Sequence, residues 1–172
     1  MKTIITIIIF TMLSSCTSLF PRKTNIIWPA GTIEYVEALC DIDLSWKDMK
    51  YSGSMSLKMK YPDVLHIEVY GPFGETVVYL SRKSDSFSFL SRDEKFNDEK
   101  VFEERFGINL REFIDDLSVK NYRKNNQESI YSQRENYVVI YELDKTERSI
   151  CWKGSDGSIC IRFLEALFEE KD

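Results

Sequence analysis

Few residues in this 172-residue chain are equipped for chemistry: four cysteines, one histidine and scattered carboxylates. His66 lies two positions from Glu68, so both fall on one face of a strand. A lone histidine on a polar strand face is ordinarily a surface residue, and no second histidine is present to complete a metal set. Asp115 and Asp116 are neighbours on a helical stretch and point in different directions, which reads as a solvated pair. No phosphate cradle, metal-ligand spacing or serine–histidine pairing is recognisable. The net charge of −5 and the lack of a basic stripe argue against nucleic acid as a partner. The chain therefore reads as a binding protein and not an enzyme, with no cofactor and no metal expected.

The one strong chemical signal lies near the start. Lys2 is followed by an apolar run, Ile4 to Leu13, broken only by Thr6 and Thr11. That run is shorter than the ~20 residues a membrane span needs and suits a secretory leader. It ends in Leu13-Ser14-Ser15-Cys16, which resembles the bacterial lipobox. The resemblance implies a signal peptide over residues 1–15, with Cys16 becoming a lipidated N-terminus. Two or more acyl chains give lasting anchorage without a transmembrane helix. Thr17, where an Asp would favour inner-membrane retention, leans towards the outer membrane, on its periplasmic side.

Three cysteines then remain, in a compartment where disulfides persist. Cys151 and Cys160 flank the turn Gly154-Ser155-Asp156-Gly157. If Lys153 pairs with Ser158, Cys151 faces Cys160 across a hairpin, on its polar side. Either a structural disulfide or two free thiols fits that register. No Cys-x-x-Cys spacing supports redox catalysis, and Cys40 reads as a buried apolar residue.

A second anomaly is the turn Gly71-Pro72-Phe73-Gly74. Turn tips normally carry Asn, Asp, Gly or Ser, and this one carries a phenylalanine. Phe73 either folds back on its own sheet or projects outward as an apolar probe.

The surrounding elements are legible from their periods. Residues 17–30 read as a tether. Thr32–Leu39 is expected to be a short helix, with Ile33, Val36 and Leu39 on one face. Strict alternation follows in Cys40–Trp46, Tyr51–Lys60 and Val64–Tyr70, then in Thr76–Ser81 and Phe87–Leu90, a five-strand meander. Helices are expected over Asp98–Phe106, ending at Gly107, and over Leu110–Leu117, capped by Asn109. Strands return at Ser129–Arg134, Tyr137–Leu143, Arg148–Lys153 and Ser158–Leu164, with residues 121–128 as a polar connection and a last short helix at Leu164–Glu170. The inward faces carry Trp46, Met55, Leu57, Met59, Leu65, Ile67 and Val69, together with Phe87 and Trp152. They suit either a solid core or an apolar cavity between sheet and helices, and methionines fit both.

This order of parts resembles the LolB family, the outer-membrane receptors for lipoproteins. The resemblance rests on the lipobox cysteine, the strands before and after Pro72-Phe73-Gly74, the step Gly107-Ile108-Asn109-Leu110 into Phe113, and the closing strands. It covers residues 32–164. It implies an α+β fold, mainly antiparallel β, in which a half-open curved barrel holds helices on its concave side. By that resemblance residues 16–31 form the lipidated tether and 32–172 a single lipid-binding domain. Trp46, Met55, Leu57, Met59, Leu65, Ile67 and Val69 would wall a cavity for acyl chains. Pro72, Phe73 and Gly74 would form the membrane-insertion loop, with Phe in place of the family's Leu. The implied role is to receive or insert lipoproteins at the outer membrane, with acyl chains and a LolA-like periplasmic carrier as partners. The alternative is a structural lipoprotein of an envelope assembly that uses the fold without transport.

Overall fold

The computed structural model describes residues 26–29, 31–119, 130–143 and 148–170. The signal peptide expected over residues 1–15, Cys16 and the polar stretch 121–128 lie outside the described residues.

Alternating hydrophobicity produces, among the described residues, one antiparallel sheet of ten strands. They are β1 (Ile33–Trp46), β2 (Met49–Lys60), β3 (Val64–Tyr70), β4 (Thr76–Lys83), β5 (Ser86–Ser91) and β6 (Lys95–Phe96), followed by two helices. After the helices come β7 (Ile130–Gln133), β8 (Tyr137–Leu143), β9 (Arg148–Gly154) and β10 (Gly157–Glu170). The spatial order is β6-β5-β4-β3-β2-β1-β10-β9-β8-β7, so the first and last strands pair in the middle and β6 and β7 are the edges of an open sheet.

The expected helix at Thr32–Leu39 is instead the start of β1. A bulge between Ile33 and Tyr35 in the pairing with β10 brings Ile33 and Val36 to the same face, and both are buried. One inserted residue thus turns a strand's period of two into a local spacing of three. A second bulge, opposite Leu39 and Cys40, skips Leu164. It lets β10 run on to Glu170 where a short helix was expected. Ile26 and Trp28, read as tether, pack on the core, with the Trp28 ring 4.9 Å from those of Phe163 and Phe168.

The two helices form where expected. α1 (Glu99–Phe106) starts at Asp98, whose side chain accepts from the Lys100 amide, and ends at Gly107 in the left-handed region (φ 69°). α2 (Leu110–Leu117) starts at Asn109, which accepts from the Glu112 amide. Phe102 of α1 lies 5.0 Å from Phe89 on β5, and Phe113 of α2 stacks on Trp152 of β9 at 4.4 Å. Those strands are six spacings apart, about 29 Å in a flat sheet. A three-residue link joins the helices, so the sheet must curl around them. Their apolar faces and the inward strand positions form one hydrophobic cluster.

One end of this body is tightly tied. The Lys47 amide donates to the Asp156 carbonyl at 2.7 Å, and Trp46 Nε1 donates to the Phe106 carbonyl at 2.7 Å. Gly157 (φ 135°) is required there, because a Cβ would sit 1.8 Å from the Ser45 carbonyl oxygen.

Candidate functional site: the Phe73 turn and the apolar cleft beneath it

β3 and β4 are joined by a turn over Gly71–Glu75, bounded by the pair Tyr70 and Thr76, with a bulge between it and the next pair, Val69 and Val78. Pro72 fixes one backbone angle, and Gly74 takes the left-handed conformation (φ 82°) with nothing within 4 Å of an added Cβ. The Gly71 amide donates to the Glu75 carbonyl at 2.7 Å, and the Gly74 amide to the Gly71 carbonyl at 3.0 Å. The Phe73 amide donates to Glu75 Oε2 at 3.1 Å. Phe73 itself is 95% exposed, the most exposed large hydrophobic side chain among the described residues. It does not fold back on its sheet.

An apolar cleft lies between the inward face of the sheet and the helices. Ile42, Met55, Ile67, Val69 and Val78 are among its strand-side walls, and Phe102, Ile108, Leu110 and Phe113 come from the helical side. Val69 and Val78 also flank the turn, and the Tyr51 hydroxyl, lining the cleft, donates to the carbonyl of Tyr70 at the turn's base. Leu44, Met49, Tyr51 and Val78 are only partly buried, which marks where the cleft meets the surface. The volume is about 90 Å³. Pockets that enclose a small ligand run to ~300–1,000 Å³, so the cleft at rest is too small for an acyl chain.

Of the seven residues read as cavity walls, Met55, Ile67 and Val69 line this cleft. Trp46, Leu57, Met59 and Leu65 do not; each is at most 2% exposed in close-packed core. Trp46 is occupied by its bond to Phe106, and the other three lie further along β2 and β3, towards the Tyr61–Asp63 turn. Alternation assigned all seven to the inward face. It did not locate the gap along that face.

The Asp115–Asp116 reading is corrected. Asp116 is wholly buried. Its carboxylate accepts from Arg134 (Nε at 3.1 Å, and Nη2), from Trp152 Nε1 at 3.1 Å and from the Tyr137 hydroxyl at 3.4 Å. Tyr141 donates to the Asp116 carbonyl at 3.2 Å. Burial pushes the carboxyl up from its ordinary range, and Arg134 and Trp152 draw it back. The sequence did carry a signal: Asp116 is three residues after the inward Phe113, on the buried side of α2.

On the outer face, Cys151 and Cys160 are joined by a disulfide, in the register read from the sequence. They border a groove of about 630 Å³, where Arg162 pairs with Asp41 at 3.0 Å. Cys40 is buried, and burial raises its thiol well above the ordinary range. His66 Nε2 lies 3.0 Å from Glu68 Oε1, and the Glu68 carboxyl is held below its usual range by His66 and then by the Tyr70 hydroxyl. Among the described residues no group of three histidine, cysteine or carboxylate side chains is placed to hold a metal. Nor is any described helix long and apolar enough to cross a membrane.

No protein-family model matches the chain, and no curated protein matches it in sequence.

Proposed function

We propose that this chain is a membrane-apposed, LolB-like lipoprotein that helps receive or insert acylated cargo at the outer membrane, touching the bilayer through Phe73. The observation that carries this reading is the fully exposed Phe73 on an internally bonded turn, directly above an apolar cleft. Burial of one phenylalanine side chain is worth ~1.5–3 kcal/mol. That cannot hold a protein on a membrane alone, but it suffices to dip a loop when a lipid on Cys16 keeps the domain close. Vesicle flotation tests it. The lipidated wild type should remain bound and transfer an acylated reporter into vesicles. Phe73→Glu should fold normally and fail in transfer, and wild-type transfer by that variant would sink the role of Phe73.

The small resting volume of the cleft favours a second reading, a structural lipoprotein whose Phe73 docks on another envelope protein. A photo-crosslinker at position 73 separates the two: lipid adducts support the first reading and a single protein adduct the second.

A further inference from the structure

We propose that Glu75 makes the Phe73 turn selective for one kind of bilayer surface, one whose phospholipid headgroups carry a primary ammonium, and turns it away from anionic headgroups. The inference rests on the reading that Phe73 touches a bilayer, and it names the lipid class that this contact favours.

The turn is built around the Glu75 carboxylate. Glu75 Oε2 accepts from the Phe73 amide at 3.1 Å, and the Glu75 carbonyl accepts from the Gly71 amide at 2.7 Å. A Cβ on Gly71 would displace the carboxylate, so glycine at that position leaves the room it occupies. Gly74, at positive φ, turns the chain back so that residue 75 faces residue 71. An acid is thus held on the backbone of Phe73, whose ring is 95% exposed.

One accepted N–H leaves most of the carboxylate's lone pairs open. Among the described residues the ion pairs all lie elsewhere. The outer face beside the turn is acidic as well. Tyr70 is opposite Ser54, and Ser54 is opposite Asp41, so continuing that register brings the turn level with Asp43 on β1. Asp41 is taken by Arg162 at 3.0 Å, whereas Asp43 is exposed.

A bilayer that receives the Phe73 ring meets this carboxylate at its polar boundary. A carboxylate is too costly to carry into hydrocarbon, so it stops at the headgroups while the ring goes deeper. Anionic headgroups repel it there. An ethanolamine headgroup instead offers an ammonium with N–H donors for a charge-assisted bond to the open lone pairs. The quaternary ammonium of choline has no N–H to give. One elementary charge close to an anionic surface changes contact by about 5-fold.

Lipid adducts from benzoylphenylalanine placed at position 73 of the full lipidated chain test this selectivity. The probes are phosphatidylcholine vesicles with half the lipid replaced by phosphatidylethanolamine or by phosphatidylglycerol. The lipid on Cys16 holds the chain to both, so adduct yield reports the tip and not the anchorage. The ethanolamine vesicles should give ~5-fold more adduct than the glycerol vesicles. Glu75→Gln keeps an oxygen for the Phe73 amide and removes the charge, and should bring that ratio to about 1 with an unchanged thermal melt. Asp85→Asn, just past the far end of β4, removes the same charge and should leave the ratio as in the wild type. A wild-type ratio near 1, or one that Glu75→Gln does not change, overturns the role of Glu75 and leaves the lipid contact of Phe73 standing. An equal fall with Asp85→Asn also overturns it, because net charge would then account for the preference. No lipid adduct from either vesicle overturns the bilayer reading and this inference with it.

Discussion

The Tyr51 hydroxyl donates to the Tyr70 carbonyl, so one side chain both lines the apolar cleft and fixes the base of the Phe73 turn. A cleft-lining residue is therefore joined to the loop above it by a single hydrogen bond. Tyr51→Phe removes that bond and little else. It is expected to cost about 1 kcal/mol, read by urea unfolding, and to speed exchange of the Gly71 amide.

Phe73→Ser separates stability from surface function. The side chain touches no core, so the unfolding free energy should stay within about ±0.5 kcal/mol of wild type, while transfer of an acylated reporter into vesicles by the lipidated chain falls. Circular dichroism melts and the reporter-transfer assay check the two halves.

Asp116→Ala should be the most damaging single change in the polar network. It leaves Arg134 and Trp152 without their acceptor in the core, at an expected cost of about 3–5 kcal/mol by chemical denaturation. Trp152→Phe keeps much of the stack on Phe113 and loses one donor, so the loss beyond its reduced packing should be about 1 kcal/mol.

Alkali should weaken the fold in two stages. Burial raises the thiol of Cys40 and the phenols of Tyr137 and Tyr141, the phenols further through the negative charge of Asp116. These groups stay protonated in the folded chain, while the unfolded chain releases their protons near ~8.5 for the thiol and ~10 for the phenols. Stability is thus complete below ~8.5, falls as pH rises, and falls more steeply beyond ~10, by up to ~1.4 kcal/mol per group per pH unit. Urea midpoints at pH 7, 9 and 10.5 give the curve, and Cys40→Ala should erase its first stage.

The Cys151–Cys160 bond closes a loop with a sequence separation of 9 and joins strands already paired in register. Reduction, or Cys151→Ser with Cys160→Ser, should cost about 2–3 kcal/mol, mostly by freeing the unfolded chain. The hairpin register should survive, seen as unchanged amide shifts for Trp152 and Ile159.

Much of the sheet was legible because a half-buried strand writes its burial in alternate residues, as Met55, Leu57 and Met59 do on β2. The helix caps at Asp98, Gly107 and Asn109 were equally plain, since each meets a local backbone demand. The reading failed at Ile33–Leu39 and at Leu164–Glu170, where bulges imitate a helical spacing. Bulges are set by the partner strand, and no local window contains it. For the same reason alternation identified the inward side of Trp46, Leu57 and Leu65 but not the location of the cleft, which depends on where the helices settle. Asp116 was missed because its partners arrive from β8, β9 and the β7–β8 connection.

The bonds within Gly71–Glu75 have a consequence for solvation. Gly71, Phe73 and Gly74 each spend their amide hydrogen inside the turn, and Pro72 has none to spend. The tip therefore owes water no donor. A loop so constituted can shed its hydration shell on meeting a greasy surface without stranding an N–H, a penalty that keeps most loops at arm's length from hydrocarbon.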